Sequence, residues 1–315
     1  MITADDVAAT VAGAAATPMA LSVTGVTKRY KSGFTLDDIT LDLPVGYIMG
    51  LIGPNGAGKS TLIKLILNMI RRDAGEIRIF GRDNRRDEEY VKDRIGVVFD
   101  SSYFIETWTV GVAEKAMATM YSTWDHAAFD GYLAGFGLDR RKKIKELSRG
   151  MQMKLMLAVA LSHEASLLIL DEPTSGLDVL ARDELMDILQ HYIEDGRRSV
   201  LFSTHITADL ERASDFITYI TRGRLYFTGP TSELEESFRL VKGGPGELDA
   251  VRRAAVGVHR YETGFDALVR TDDFARLAAD GVAGPVSSLS VEPVSIDDII
   301  RLTNVRAGSG QEAAR

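Results

Sequence analysis

The sequence predicts an α/β fold: a mainly parallel core sheet covered by helices, with an antiparallel β subdomain, a helical subdomain and a small C-terminal α/β appendage. Three observations carry this. Short apolar, β-branched runs alternate with amphipathic helical stretches in the rhythm of βαβ units. One of those runs enters a glycine-rich turn that opens an apolar helix. The chain has 315 residues, 45% hydrophobic and 26% charged, enough to bury a large core without staples.

In chain order, residues 1–19 read as a flexible N-terminal extension. Asp5 and Asp6 stand where a signal peptide needs positive charge, and no continuous apolar run follows. Leu21 to Val26 and Phe34 to Leu43 alternate apolar and polar positions, as half-buried antiparallel strands do. Tyr47 to Ile52 is a buried strand, followed by the glycine-rich turn and a helix from Lys59 to Ile70. Glu76 to Phe80, Ile95 to Phe99, Leu167 to Leu170 and Val200 to Ser203 are further buried-strand candidates, the last two bracketing a helix from Arg182 to Tyr192. Between Val110 and Leu161 the pattern is nearly all helix, giving a helical subdomain of about 101–162. A Gly-Pro-Gly break at Gly243 to Gly246 marks the appendage, and the domain limits read 20–238, 239–304 and a frayed tail over 305–315.

Composition narrows the function. The net charge is 37 − 45 = −8, which argues against nucleic acid as a partner. With no cysteine there are no disulfides and no thiolate metal sites. No run of eighteen apolar residues exists, so the expectation is a soluble chain whose membrane role, if any, comes through a partner. No internal repeat is present, which excludes a tandem of two such domains.

Gly53-Pro-Asn-Gly-Ala-Gly-Lys-Ser-Thr61 fits G-x-x-x-x-G-K-[ST] between strand and helix. Gly53, Asn55, Gly56, Ala57 and Gly58 curl so that backbone N–H groups form an anion nest. The helix N-terminus, reached through Ser60 and Thr61, adds partial positive charge. Lys59 would reach the β- and γ-phosphates of a nucleotide, and the Ser60 hydroxyl would ligate Mg²⁺. Leu167-Leu-Ile-Leu-Asp-Glu-Pro173 delivers two carboxylates at the C-terminal end of a buried strand, where open α/β sheets bind ligands. Asp171 can hold Mg²⁺, and Glu172 can act as general base toward water.

Leu147-Ser-Arg-Gly-Met151 precedes Asp171 by twenty residues, Ser175-Gly-Leu-Asp178 follows it, and His205 ends the next strand in Ser-Thr-His. This order and spacing resemble the ATP-binding subunit of ABC transporters over residues 20–238. The resemblance implies ATP and Mg²⁺ as ligands, with Ser60, Asp171 and Asp100 at the metal. It also implies that Ser148, Arg149, Gly150 and Met151 complete the nucleotide pocket of a second ATPase subunit, identical or paralogous. Asp178 would link the two sites, His205 would contact the γ-phosphate and the water, and Tyr30 would stack on adenine. Asp100 stands where the family usually has glutamine, and Arg149 and Met151 where Gly and Gln are commoner. These variants, with Phe99-Asp-Ser-Ser-Tyr-Phe104, resemble a subgroup of small bacterial exporters.

The same resemblance makes Tyr103, Phe104, Ile105 and Trp108 either the groove for a multi-span membrane permease or the filling of the helical subdomain. Through that permease the chain would sit in the cytoplasm, peripheral on the inner face of the membrane. Closure of the dimer around two ATP and its opening on hydrolysis would drive transport. The alternative is an ATPase clamp without transport, as in translation or DNA repair. Against it stand the single cradle, the absence of a heptad run between Lys59 and Ser148, and the acidic charge.

Overall fold

The computed structural model describes residues 17–279 and 289–308. The expectations for residues 1–16 and 309–315 lie outside these. The described chain runs β1 (Met19–Arg29), β2 (Thr35–Pro44), β3 (Ile48–Ile52), α1 (Lys59–Ile66), β4 (Ala74–Ile79), β5 (Arg82–Asp83), α2 (Glu88–Lys92) and β6 (Ile95–Val98). It continues with α3 (Val110–Ala118), α4 (His126–Gly135), α5 (Arg149–Leu161), β7 (Leu167–Asp171), α6 (Val179–Ile193), β8 (Ser199–Thr204) and α7 (Thr207–Ala213). β9 (Phe216–Thr221), β10 (Arg224–Pro230), α8 (Thr231–Glu236), β11 (Phe238–Gly243), α9 (Leu248–Val251), β12 (Ala255–Tyr261), β13 (Gly264–Arg270), α10 (Thr271–Ala279), β14 (Ser290–Glu292) and α11 (Ile296–Gly308) complete it.

The central sheet has the order β10-β9-β3-β8-β7-β6, parallel throughout except for the β9–β10 hairpin. Its strands are apolar on both faces, as a sheet covered on both sides requires. The period-two alternation divides them between two cores. Leu168, Leu170, Val200 and Phe202 face α5 and α6, whereas Leu167, Ile169, Leu201 and Met49 face α1 and the antiparallel sheet β2-β1-β4-β5.

Four expectations change. Glu76 to Phe80 is not a fully buried strand. β4 pairs antiparallel with β1 and buries only Ile77 and Ile79, and its strict alternation of charged and apolar residues is the reason. The helix predicted to Ile70 stops at Ile66, because Asn68 takes a left-handed φ of +53° and Asn84 Nδ2 caps the carbonyls of Leu65 and Ile66 at 2.9 and 2.8 Å. Residues 110–161 form three helices with loops between them. α4 is capped by the Asp125 carboxylate, which accepts from Ala127 and Ala128 N–H, and the chain turns at Gly137 (φ +66°). The tail is not frayed throughout 305–315, since α11 continues to Gly308.

The C-terminal residues form an antiparallel sheet, β12-β13-β11-β14. One face has its own small core around Val241, Val251, Phe265 and Val269. The other face belongs to the main core. Phe238, Leu240, Leu268, Ile296, Ile299 and Leu302 join the cluster that holds Val200 and Phe202, and Tyr219 Oη meets Thr303 Oγ1 at 3.0 Å.

Candidate active site

β3 delivers the chain to a turn that only glycines can make. Gly56 and Gly58 have φ of +80° and +115°, and a Cβ on Gly53 would stand 2.1 Å from the Ile220 carbonyl oxygen. The turn is pinned where Ala57 N–H donates to Pro54 O and Gly223 N–H donates to Ala57 O, both at 3.0 Å. α1 then starts at Lys59 without a side-chain cap, so the first amides of the helix are left for an anion.

Over this turn lies a cavity of about 530 Å³, lined by residues 54–61 with Phe34, Asp100, Glu172, Ser175 and His205. Gly53 is not among its lining residues. Lys59 is buried, and its Nζ donates to Gly53 O at 2.7 Å and lies 3.1 Å from Glu172 Oε1. The other carboxylate oxygen of Glu172 lies 2.7 Å from His205 Nδ1. Asp171 turns to the opposite side, where its Oδ1 accepts from Ser60 Oγ at 3.2 Å and from Ser203 Oγ at 2.7 Å. Ser203 Oγ in turn accepts from Glu172 N–H at 2.9 Å. The two adjacent carboxylates are thus separated into a Lys–Glu–His line and a Ser–Asp–Ser line.

The Ser60 hydroxyl and the Asp171 carboxylate are hard oxygen donors, suited to a divalent cation such as Mg²⁺. Among the described residues no group of three or more His, Cys, Asp or Glu side chains could hold an ion alone. The rest of a cation's shell would come from phosphate oxygens and water. Asp100 is exposed at the rim of the cavity, its Oδ1 accepting from Ser101 Oγ at 3.3 Å.

The remaining expected residues lie elsewhere. Tyr30 is 38% exposed and sits beside Phe34, with ring centroids 6.2 Å apart. Of this pair, Phe34 lines the cavity. Ser148, Arg149, Gly150, Met151 and Asp178 do not line it. Ser148 Oγ caps α5 by accepting from Met151 N–H at 3.3 Å, and Asp178 caps α6 by accepting from Ala181 N–H at 2.9 Å. Arg149 donates to Asp100 O at 3.2 Å and to Ser175 Oγ at 3.4 Å, and Gly150 faces Leu177. Just past Asp178, Val179 and Leu180 expose 69% and 80% of their surface.

A second concavity of about 860 Å³ opens where the Asp100 loop leaves β6, with Leu67, Met69, Tyr90, Phe99, Met120 and Tyr121 among its lining residues. Of the four residues read as either a docking groove or the filling of the helical subdomain, Phe104 is buried in the main core and Trp108 packs against it, while Tyr103 and Ile105 are exposed outside this lining. At the edge of the groove Asp93 accepts from Ser122 Oγ and N–H at 2.6 and 2.9 Å, which holds its carboxyl below the usual range.

Sequence reading missed Phe34 and Ser203 and named Ser175 only as part of a motif, without a place at the cavity. Ser203 sits in a buried strand, where a serine has no spacing pattern, and the only clue was a hydroxyl one strand away from paired carboxylates.

Residues 36–175 match the family described as ABC transporter. The chain is 33% identical over 226 residues to the daunorubicin/doxorubicin resistance ATP-binding protein DrrA of Streptomyces peucetius, covering 69% of this chain and 67% of that one. It is 29% identical over 291 residues to the bacitracin transport ATP-binding protein BcrA of Bacillus licheniformis, covering 90% and 92%. A solved ATP-binding subunit of an ABC transporter superposes with a TM-score of 0.62 at 29% identity, over 68% of this chain and 91% of that one. Cradle, paired carboxylates, fold and relatives agree: the chain belongs to the ABC transporter family, as one of its ATP-binding, ATP-hydrolysing subunits.

Proposed function

We propose that two copies of this chain, or one copy and a paralogue, close around two ATP molecules and drive a separate multi-span permease as an exporter. The observation that carries this reading is the placement of the signature. Ser148 to Met151 do not line the phosphate cavity of their own chain, so a second subunit is the natural receiver for them. The exposed Val179 and Leu180 beside Asp178 support an apolar contact there.

In this reading Ser60 and Asp171, with Asp100 at the rim, would hold Mg²⁺, and the ion would supply neutralisation of charge on the phosphate oxygens. The ATP triphosphate competes for the Lys59 ammonium and so releases Glu172 from it. Glu172 then takes a proton from water, whose oxygen attacks the γ-phosphorus. The bond to the β-phosphate oxygen breaks, leaving ADP and phosphate. His205 donates to the γ-phosphate and orients Glu172. Tyr30 and Phe34 offer the aromatic surface for adenine. The apolar groove beside the Asp100 loop is the permease dock. Among the described residues no helix is long and apolar enough to cross a membrane, which accords with a peripheral place on the cytoplasmic face. The relatives named for drug resistance and bacitracin transport support outward movement of an antibiotic-like cargo.

The test is sedimentation of the Glu172→Gln chain. Turnover should fall at least about a hundredfold, the usual scale of a general base. With Mg²⁺ and ATP in excess the variant should sediment as a dimer at micromolar concentration. A chain that stays monomeric under those conditions refutes the clamp.

A further inference from the structure

Asp209, on α7, is 1% exposed and lies outside the phosphate cavity. Its Oδ2 accepts the hydroxyls of Thr174 at 2.7 Å and Thr204 at 2.9 Å, both from fully buried residues. Thr204 Oγ1 also accepts from Ile206 N–H at 3.0 Å. Among the described residues Oδ1 has no hydrogen-bond partner, and its nearest cation is Arg182, whose equally unpartnered Nε stands 3.6 Å away. A buried carboxylate with one oxygen off hydrogen bond is an expensive way to hold a loop. Its position suggests what it holds. Thr174 comes two residues after Glu172, Thr204 comes immediately before His205, and Arg182 lies on the helix that Asp178 caps.

We infer that Asp209 is a positioning residue, which ties the two strand ends carrying Glu172 and His205 to one fixed carboxylate and so sets their mutual register. This rests on the roles given to Glu172 and His205 above. The anchor is rigid, because Leu210 packs so closely on β3 that a Cβ on Gly50 would stand 2.0 Å from Leu210 Cδ2. The Glu172–His205 contact of 2.7 Å is short enough that a small displacement of either strand end breaks it, and misplacement of reacting groups by about 1 Å is costly to rate.

The test compares ATPase kinetics and binding of a fluorescent ATP analogue for the full chain and four variants. Asp209→Ala should lower kcat about tenfold or more while KM for ATP and the number of nucleotide sites stay within about twofold. Asp209→Asn keeps an oxygen for both hydroxyls and should return kcat to within about threefold of the parent. Thr204→Val removes one tether without opening a cavity, so it serves even where Asp209→Ala folds poorly, and it should lower kcat with KM unchanged. Unchanged kcat in Thr204→Val, or parallel loss of kcat and of binding sites in Asp209→Ala without rescue by Asn, overturns the inference. Glu172→Gln is the fourth variant. If it loses turnover while the Asp209 and Thr204 variants do not, only the positioning role fails, whereas retained turnover in Glu172→Gln removes the base assignment and this inference with it.

Discussion

Glu172 adopts φ +51°, in the left-handed region that residues with a Cβ avoid, at a cost on the order of 1–3 kcal/mol. Part of what holds it there is Ser203, whose hydroxyl accepts the Glu172 N–H and donates to Asp171. We expect Ser203→Ala to lower kcat about tenfold and to raise the Mg²⁺ concentration needed for half-maximal turnover, since Asp171 loses one of its two hydroxyl partners. Steady-state ATPase assays across a Mg²⁺ series check this, and an unchanged Mg²⁺ requirement would mean that Ser60 alone orients the carboxylate. Lys59, Ser60, Asp171 and Glu172 were read in the sequence from their spacing to a glycine turn or a strand end, and His205 from the family resemblance. Ser203 and Asp209 were not, because they act through contacts between strands and helices far apart in sequence.

At the scale of elements, continuous apolar runs identified β3, β7 and the middle of β8, because two covered faces select apolar side chains, while the buried polar residues Asp171, Ser199, Ser203 and Thr204 each have a hydrogen-bond partner. Helix ends were less legible. The stop of α1 has one local sign, Asn68 in the left-handed region, and one distant support, Asn84, eighteen residues beyond Ile66, which no local pattern announces. The β9–β10 hairpin went unread although Arg222 and Gly223 (φ +52° and +75°) make a tight turn between two alternating strands. The short bond from Asp93 to Ser122 ties the C-terminal end of α2 to the loop before α4. Its contribution has a definite sign: a carboxyl held below its ordinary value of 3.8 stabilises the fold above that pH and loses this as the pH falls through the folded value. Ser122→Ala should return the carboxyl toward 3.8, read by carbon-13 NMR titration of Asp93. An unmoved titration would show that the Ser122 hydroxyl is not the cause.

For the whole molecule, the sequence located the C-terminal residues as an appendage because Gly243 to Gly246 reads as a boundary. Their two-faced burial was not visible there, since composition does not say which neighbour an apolar face will meet. Phe238, Leu240, Leu268, Ile296, Ile299 and Leu302 are all buried in the main core, each side chain contributing roughly 1.5–3 kcal/mol. A chain ended after Ser237 should therefore melt at least about 10 °C lower by calorimetry. An unchanged transition would mean that the first 237 residues close their core unaided. The shared core also orders events during synthesis. Domains ordinarily settle as they leave the ribosome, N-terminal portion first, but here Phe238, Leu240 and Leu268 wait for Ile296, Ile299 and Leu302, which join the same core last. The main core is thus completed by a helix made long after β8, whose Val200 and Phe202 share that core.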